Sequence, residues 1–205
     1  MDRMPELILA SGSPRRRELL EQAGYHFRVI EPDPLAECGI CSRETPPELV
    51  ARLAFQKGAN VACKLEANRA TEGWVLACDT VAECLGTILG KPENREHAKE
   101  MLLRLRGREH SVYSGICLWD IQTQKRSVQV EVSKLTMEAI SDDELDSYLD
   151  TDQWIGKSGA FGFQDGPPWL TLKQGSASNV VGLPMERLAN MLIEFRGRLS
   201  SPLRP

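Results

Sequence analysis

Leu7-Ile-Leu-Ala-Ser-Gly-Ser-Pro-Arg-Arg-Arg-Glu-Leu-Leu20 is the stretch on which the reading of this chain turns. An apolar strand, Pro5 to Ala10, runs directly into a short Ser/Gly loop. A helix then opens with Ser13 at the N-cap position, Pro14 at the first helical position and three arginines in the first turn. Proline suits that position because its missing N–H would be unpaired there anyway, and Ser13 is placed to cap the free amides behind it. Arginine suits it badly, because a helix N-terminus already carries partial positive charge. An outside anion resolves the conflict. Phosphate is favoured by free amides, dipole and guanidinium forks together. The competing reading is a solvated basic turn, since charge runs are usually surface.

The composition places this strand–loop–helix in an ordinary globular protein. The 205 residues are enough for one large domain, with a hydrophobic fraction of 41% and a charged fraction of 26%. A net charge of −4 argues against a general nucleic-acid-binding surface, so the arginines read as a local site on an acidic body. No apolar run reaches transmembrane length and no signal-peptide core follows Met1, which predicts a cytoplasmic protein with no membrane partner.

Strands and helices alternate along the chain, which predicts an α/β class with a mixed sheet. After the first helix, ending near Gly24, His26 to Ile30 reads as a strand and Glu31 to Thr45 as a loop. Thr45-Pro-Pro-Glu48 opens a long helix, and Trp74 to Cys78 is a short buried strand with Asp79-Thr80 at its end. Val81 to Leu89 reads as a hairpin around Gly86. Asn94 caps a helix over His97 to Arg106, and Glu109 to Trp119 and Ser127 to Met137 are two long strands. Ser141-Asp-Asp-Glu144 is a capping box, Gln153 to Asp165 a glycine-rich loop and Pro167 to Lys173 a strand. Gly182-Leu-Pro184 opens the last helix. Residues 1–198 form one domain, and 199–205 a frayed tail.

Few residues outside the opening stretch point to chemistry by themselves. Asp79 is placed where ligands gather in open α/β sheets, and it can hold a metal, activate water or merely cap a turn. Lys91 lies on the short Gly90-Lys91-Pro92 turn, Lys57 in the long helix, and Lys157 and Gln164 in the glycine-rich loop. His26, His97 and His110 are too far apart for metal spacing. Cys38-Gly-Ile-Cys41 has redox or zinc spacing but nothing to complete a site. Cys63, Cys78 and Cys117 read as reduced core thiols. No nucleophile elbow, Walker loop or dinucleotide fingerprint is present.

Four blocks taken together resemble the Maf family of nucleoside triphosphate pyrophosphatases. They are Leu9 to Leu20, Cys78-Asp-Thr-Val81 with Leu89-Gly-Lys-Pro92, Lys157-Ser-Gly-Ala-Phe-Gly-Phe-Gln164, and Asn179-Val-Val-Gly-Leu-Pro184. The resemblance implies an inosine-triphosphatase-like fold, with a long mixed sheet flanked by helices and a deep cleft between two lobes. It implies hydrolysis of a nucleoside triphosphate to monophosphate and pyrophosphate with a divalent cation, Mg²⁺ or Mn²⁺. Asp79 matches the family's catalytic acid and metal neighbour, and Glu37 matches a second metal-assisting carboxylate. Ser11, Arg15, Arg16, Lys57 and Lys91 match positions that hold the triphosphate or support the cleft, and Lys157 belongs to the same substrate-binding set. Arg15, Thr80 and Gln164 match the positions that separate subfamilies, and they resemble the dTTP/UTP-hydrolysing group. Gly156 and Asp165 depart from the family pattern, which has an aspartate before the lysine and a glycine after the glutamine. The departure implies a loosened Lys157 and added negative charge near the substrate. A nucleotide-binding regulator of cell division with little turnover is the alternative, and the sequence leaves a homodimer open.

Overall fold

The computed structural model describes residues 5–36 and 43–199. Glu37, Cys38, Cys41 and the tail 200–205 lie outside the described residues. A mixed seven-stranded sheet forms the frame. Its members are β1 (Leu7–Ala10), β2 (Phe27–Val29), β3 (Trp74–Cys84), β4 (Thr87–Leu89), β5 (Glu109–Asp120), β6 (Arg126–Met137) and β7 (Leu170–Gln174). The order is β2-β1-β3-β5-β6-β7, with β4 added to β3. β1 pairs parallel with β2 and β3, and all other pairings are antiparallel. Six helices accompany the sheet among the described residues: α1 (Pro14–Gln22), α2 (Pro46–Ala67), α3 (Arg95–Leu105), α4 (Asp142–Leu149), α5 (Ala177–Val181) and α6 (Met185–Leu199). None of them is long and apolar enough to cross a membrane.

Strand alternation sorts β3 between two faces. Trp74, Leu76 and Cys78 join one core cluster, with Leu7 and Leu9 of β1 and Leu188, Met191 and Phe195 of α6. Val75 and Ala77 join another, with Ile8, Ala10 and, from α2, Ala54, Val61 and Leu65. Successive strand side chains point to opposite faces, so Asp79 belongs to the α2 face and Thr80 to the α1/α6 face. A third core cluster, built from α3, α4, the far end of β6 and the Trp154–Trp169 region, closes the other end of the molecule.

The sequence places Asp79 at the end of a short strand, but β3 continues to Cys84 and Asp79 lies in its middle. The edge of β3 is nevertheless interrupted there. β1 pairs with β3 only as far as Ala77, and β4 begins pairing at Ala82. Residues 78–81 therefore have a ladder partner on the β5 side alone. The gap exists because β1 stops at Ala10 and turns through Ser11-Gly12-Ser13 into α1.

α2 opens as its sequence predicts, with the Thr45 amide donating to Glu48 Oε2 at 2.9 Å. It lies unusually close to the sheet at Gly115 of β5, where a Cβ would collide with the Val50 carbonyl and approach the Ala51 nitrogen to 2.8 Å. Gly115 is the cross-strand neighbour of Asp79. Close helix–sheet approach is thus built in beside the gap. Two readings need correction, and one helix goes unsignalled. Cys63 is exposed on α2 rather than buried. Ser13 occupies the N-cap position, yet its side chain makes no capping hydrogen bond. Ala177–Val181 forms a short helix that the polar Ser/Asn sequence does not signal.

Candidate active site

A cleft of about 840 Å³ opens over the gap in β3. Ser11, Arg15, Arg16, Lys57, Asp79, Thr80, Lys91, Lys157 and Gln164 all line it. They come from the β1–α1 loop, α1, α2, β3, the turn after β4 and the glycine-rich loop, so the fold assembles positions scattered over most of the chain. Glu37 lies outside the described residues.

Asp79 faces α2, and Lys57 meets it there. Lys57 occupies the buried stripe of α2 between Ala54 and Val61, and its Nζ lies 2.6 Å from Asp79 Oδ1. Both side chains are almost enclosed, at 7% and 12% exposure. A buried lysine requires a counter-ion. The helix stripe and the strand alternation deliver one.

Thr80 faces the opposite way, as the alternation requires. Its Oγ1 lies 2.8 Å from Ser114 Oγ and donates to the Gly182 carbonyl at 3.3 Å. It also accepts from an Arg16 terminal nitrogen at 3.3 Å. Arg16 donates further from Nε to the Gly182 carbonyl at 2.8 Å and from Nη1 to Ser11 Oγ at 3.1 Å. The buried guanidinium therefore ties the β1–α1 loop to β3 and to the end of α5. The sequence marks Gly182 only as the opening of the last helix. Its carbonyl is a junction for Arg16, Thr80 and the Cys78 thiol.

Arg15 projects the other way and donates to the Gly156 carbonyl at 2.8 Å. Burial and the neighbouring Arg16 charge lower its pKa, against a smaller raising effect of Asp165. Both guanidiniums thus end on neutral oxygens, and among the described residues neither makes an ion pair. The fields of Asp165 and Glu18 offset part of the Arg15 charge without direct contact.

The glycine-rich loop is stitched to the same centre. Ser158 Oγ donates to the Thr80 carbonyl at 2.8 Å, filling part of the ladder gap, and the Gly159 amide donates to the Gly90 carbonyl at 3.0 Å. The second bond places Lys91 at the cleft wall. Gly156 and Gly159 adopt φ of +69° and +75°, a region that favours glycine. Lys157 forms an ion pair with Asp165, so the expected loosening of that lysine does not occur. Gln164 is at the cleft, on the same loop.

Nothing in the sequence around Glu31 singles it out, yet its carboxylate lies over Gly12, 3.0–3.1 Å from where a Cβ would stand, and it lines the cleft. Only the spatial return of the loop after β2 reveals it. Among the described residues no three His, Cys, Asp or Glu side chains form a metal-binding group. The described carboxylates that line the cleft, Asp79 and Glu31, are hard oxygen donors of the kind a magnesium-type ion takes alongside substrate phosphate and water.

Comparison with known proteins agrees with the geometry. Residues 6–195 match the family model described as Maf-like protein. A dTTP/UTP pyrophosphatase of Rhodopirellula baltica is 55% identical over 92% of this chain and 82% of its own length. Proteins of the same name from Pelotomaculum thermopropionicum and Carboxydothermus hydrogenoformans are 38% and 39% identical, over 94% and 93% of this chain and 97% and 98% of theirs. Among solved structures, the Staphylococcus aureus Ham1 protein aligns over 94% of this chain and 99% of its own, with a TM-score of 0.48 and 14% identity. The family match spans every element that lines the cleft, from the β1–α1 loop to the end of α5, and the chain belongs to the Maf family.

Proposed function

We propose that this protein hydrolyses dTTP and UTP between the α and β phosphates, releasing the nucleoside monophosphate and pyrophosphate. The observation that carries the proposal is the meeting, in one cleft, of the enclosed Asp79–Lys57 pair with Arg15, Lys91 and Lys157. That arrangement sets a proton acceptor among cations suited to a polyphosphate. The names of the relatives support the choice of substrate.

Asp79 takes the proton of a water that attacks the α-phosphorus, as a general base within reach of the nucleophile. The bond from that phosphorus to the bridging oxygen breaks, and its electron pair leaves with pyrophosphate. Arg15 and Lys91 face the charge that develops on the leaving group, and phosphoryl transfer depends chiefly on such positioning and electrostatics. Lys57 holds the Asp79 carboxylate in place at the cleft wall. Arg16 acts at one remove, holding Ser11, Thr80 and Gly182 in register. Asp79, with Glu31 or Glu37, would hold a Mg²⁺ or Mn²⁺ ion, which when bound would supply charge neutralisation on the phosphates and Lewis-acid polarisation.

Gln164 stands at the cleft, where its neutral amide can both donate to and accept from a pyrimidine edge. A site built for specific hydrogen bonds rejects partners that leave its polar groups unpaired. A nucleoside triphosphate substrate supports a cytoplasmic setting for the enzyme. Pyrophosphate release from a panel of nucleotides with Mg²⁺ tests the reading, and dTTP and UTP should exceed GTP and methylated GTP in kcat/KM. Methylated GTP as the best substrate would refute the pyrimidine assignment, and nucleotide binding without release would favour the regulator.

A further inference from the structure

Lys157 is a buried cation at the cleft wall, and its partner is the one acidic residue of the glycine-rich loop. The lysine is 10% exposed and lines the cleft, whereas its partner Asp165, 22% exposed, is not among the lining residues. Their ion pair crosses eight residues of chain and fits over Gly162. A Cβ at that position would strike both Asp165 Oδ2 and Lys157 Nζ. Gly162 has φ −110° and ψ 97°, an extended conformation open to any residue, so its bare Cα serves the ion pair and not a turn. The Gly162 amide donates to Tyr148 Oη at 3.0 Å, which fixes the floor on which the pair rests. Asp165 also exerts an attractive charge effect on Arg15, so its field reaches a second cation of the cleft.

We infer that Asp165 is a built-in counter-anion that sets the enzyme's affinity for polyphosphate, because a phosphate chain reaching Lys157 has to share that ammonium with it. The inference rests on the reading of the cleft as a nucleoside triphosphate site. In the structure the charge of Lys157 is already balanced by Asp165. When phosphate arrives, the ammonium keeps Asp165 on one side and accepts the phosphate on another, or turns from one to the other. Both cases weaken binding relative to a lysine without this carboxylate, since like charges then stand across a single cation. Such a brake favours product release, because pyrophosphate is a compact, highly charged species that the cleft must let go.

Two variants break the pair by different routes. Asp165→Asn removes the charge with little change of shape. Gly162→Ala leaves both charges in place and pries their tips apart, and the atoms it displaces are the ends of flexible side chains. Inorganic tripolyphosphate is the probe, because it reports the phosphate subsites without any contribution from the base or from the neighbouring Gln164. Calorimetric titration should show its Kd falling roughly two- to fivefold in Asp165→Asn, the range set by one partly exposed ion pair. A smaller fall in the same direction is expected in Gly162→Ala. In a Lys157→Met background Asp165→Asn should lose most of its effect. An unchanged or higher Kd in both variants, with melting curves showing them folded, would overturn the inference. So would a full-sized gain without Lys157. Failure of the parent protein to bind tripolyphosphate and to release pyrophosphate from dTTP would instead refute the site reading itself.

Discussion

Replacing Asp79 with asparagine tests stability and catalysis in one experiment. The substitution is nearly isosteric, so the packing of β3 against α2 survives and the protein folds. Stability, however, should fall. Lys57 and Asp79 are 7% and 12% exposed and 2.6 Å apart, so Asp79→Asn takes this counter-charge away from an enclosed ammonium. Removing one partner of a buried pair costs about 3–5 kcal/mol. Asparagine still offers Lys57 an acceptor oxygen, which brings the expected cost down to about 2–3 kcal/mol. In a chain of this size each 1 kcal/mol moves Tm by roughly 2–4 °C, so a melt should shift down by about 4–12 °C. Pyrophosphate release should drop by about 10²–10⁴-fold, the usual contribution of a general base. Lys57→Met separates the two effects. Alone it takes the ammonium from a buried carboxylate and destabilises, whereas combined with Asp79→Asn it leaves a neutral pair and should recover at least half of the summed loss. Activity does not return. An Asp79→Asn protein as stable as the parent, or a double variant whose loss is simply the sum of the singles, would refute the coupling. Activity within a few-fold of the parent would remove Asp79 from the mechanism.

Gly115→Ala should cost about 1–3 kcal/mol or more by overpacking, because the new methyl strikes the α2 backbone at Val50 and Ala51. It should also lower kcat by displacing Lys57, so a urea melt and a rate that both match the parent would show the close approach to be unimportant. His110, 4% exposed and edge-on to Phe161 at 5.2 Å, has its pKa lowered by burial from 6.5 to about 4. Between those values the unfolded chain binds a proton that the folded protein refuses, so stability is lost as pH falls through this window, by up to roughly 3 kcal/mol. In urea melts from pH 7 to pH 4, His110→Phe should flatten that slope, and an unaltered slope would assign the acid sensitivity to other groups.

Much of this site was legible because strand and helix periods are short and strict. The apolar run before Ser11, the proline after Ser13, the Thr45-Pro-Pro-Glu48 helix start and the capping box at Ser141 each specify a local geometry, and the structure reproduces the strand, both helix starts and the box. The arginine run was legible as an electrostatic conflict, although the sequence could not say that Arg15 reaches the Gly156 carbonyl while Arg16 reaches Ser11, Thr80 and Gly182. Lys57 was silent in sequence. A lysine inside an apolar helical stripe carries no meaning until its stripe is docked on a particular strand, and here Gly115 sets that docking distance from across the sheet. The two departures from the family pattern, Gly156 and Asp165, have no visible connection in the linear chain. In space Gly156 gives its carbonyl to Arg15, and Asp165 supplies the carboxylate for Lys157.

The placement of the cleft follows from one local event. Had β1 continued beyond Ala10, its backbone would have paired with residues 78–81 and covered the edge of β3. Instead the chain turns at Ser11-Gly12-Ser13, where the helix requires an N-terminus with its amides forward. The same turn uncovers Asp79 and Thr80 and brings the arginines of α1 to within hydrogen-bonding distance of Thr80 and the Gly156 carbonyl. Alternation then sends Asp79 to one wall and Thr80 to the other. A carboxylate paired with Lys57 and a hydroxyl braced by Arg16 consequently occupy adjacent positions on one strand without meeting. Strand termination, the helix start after Ser13 and the two-residue period of β3 thereby separate the Asp79–Lys57 wall of the cleft from the Thr80–Arg16 wall.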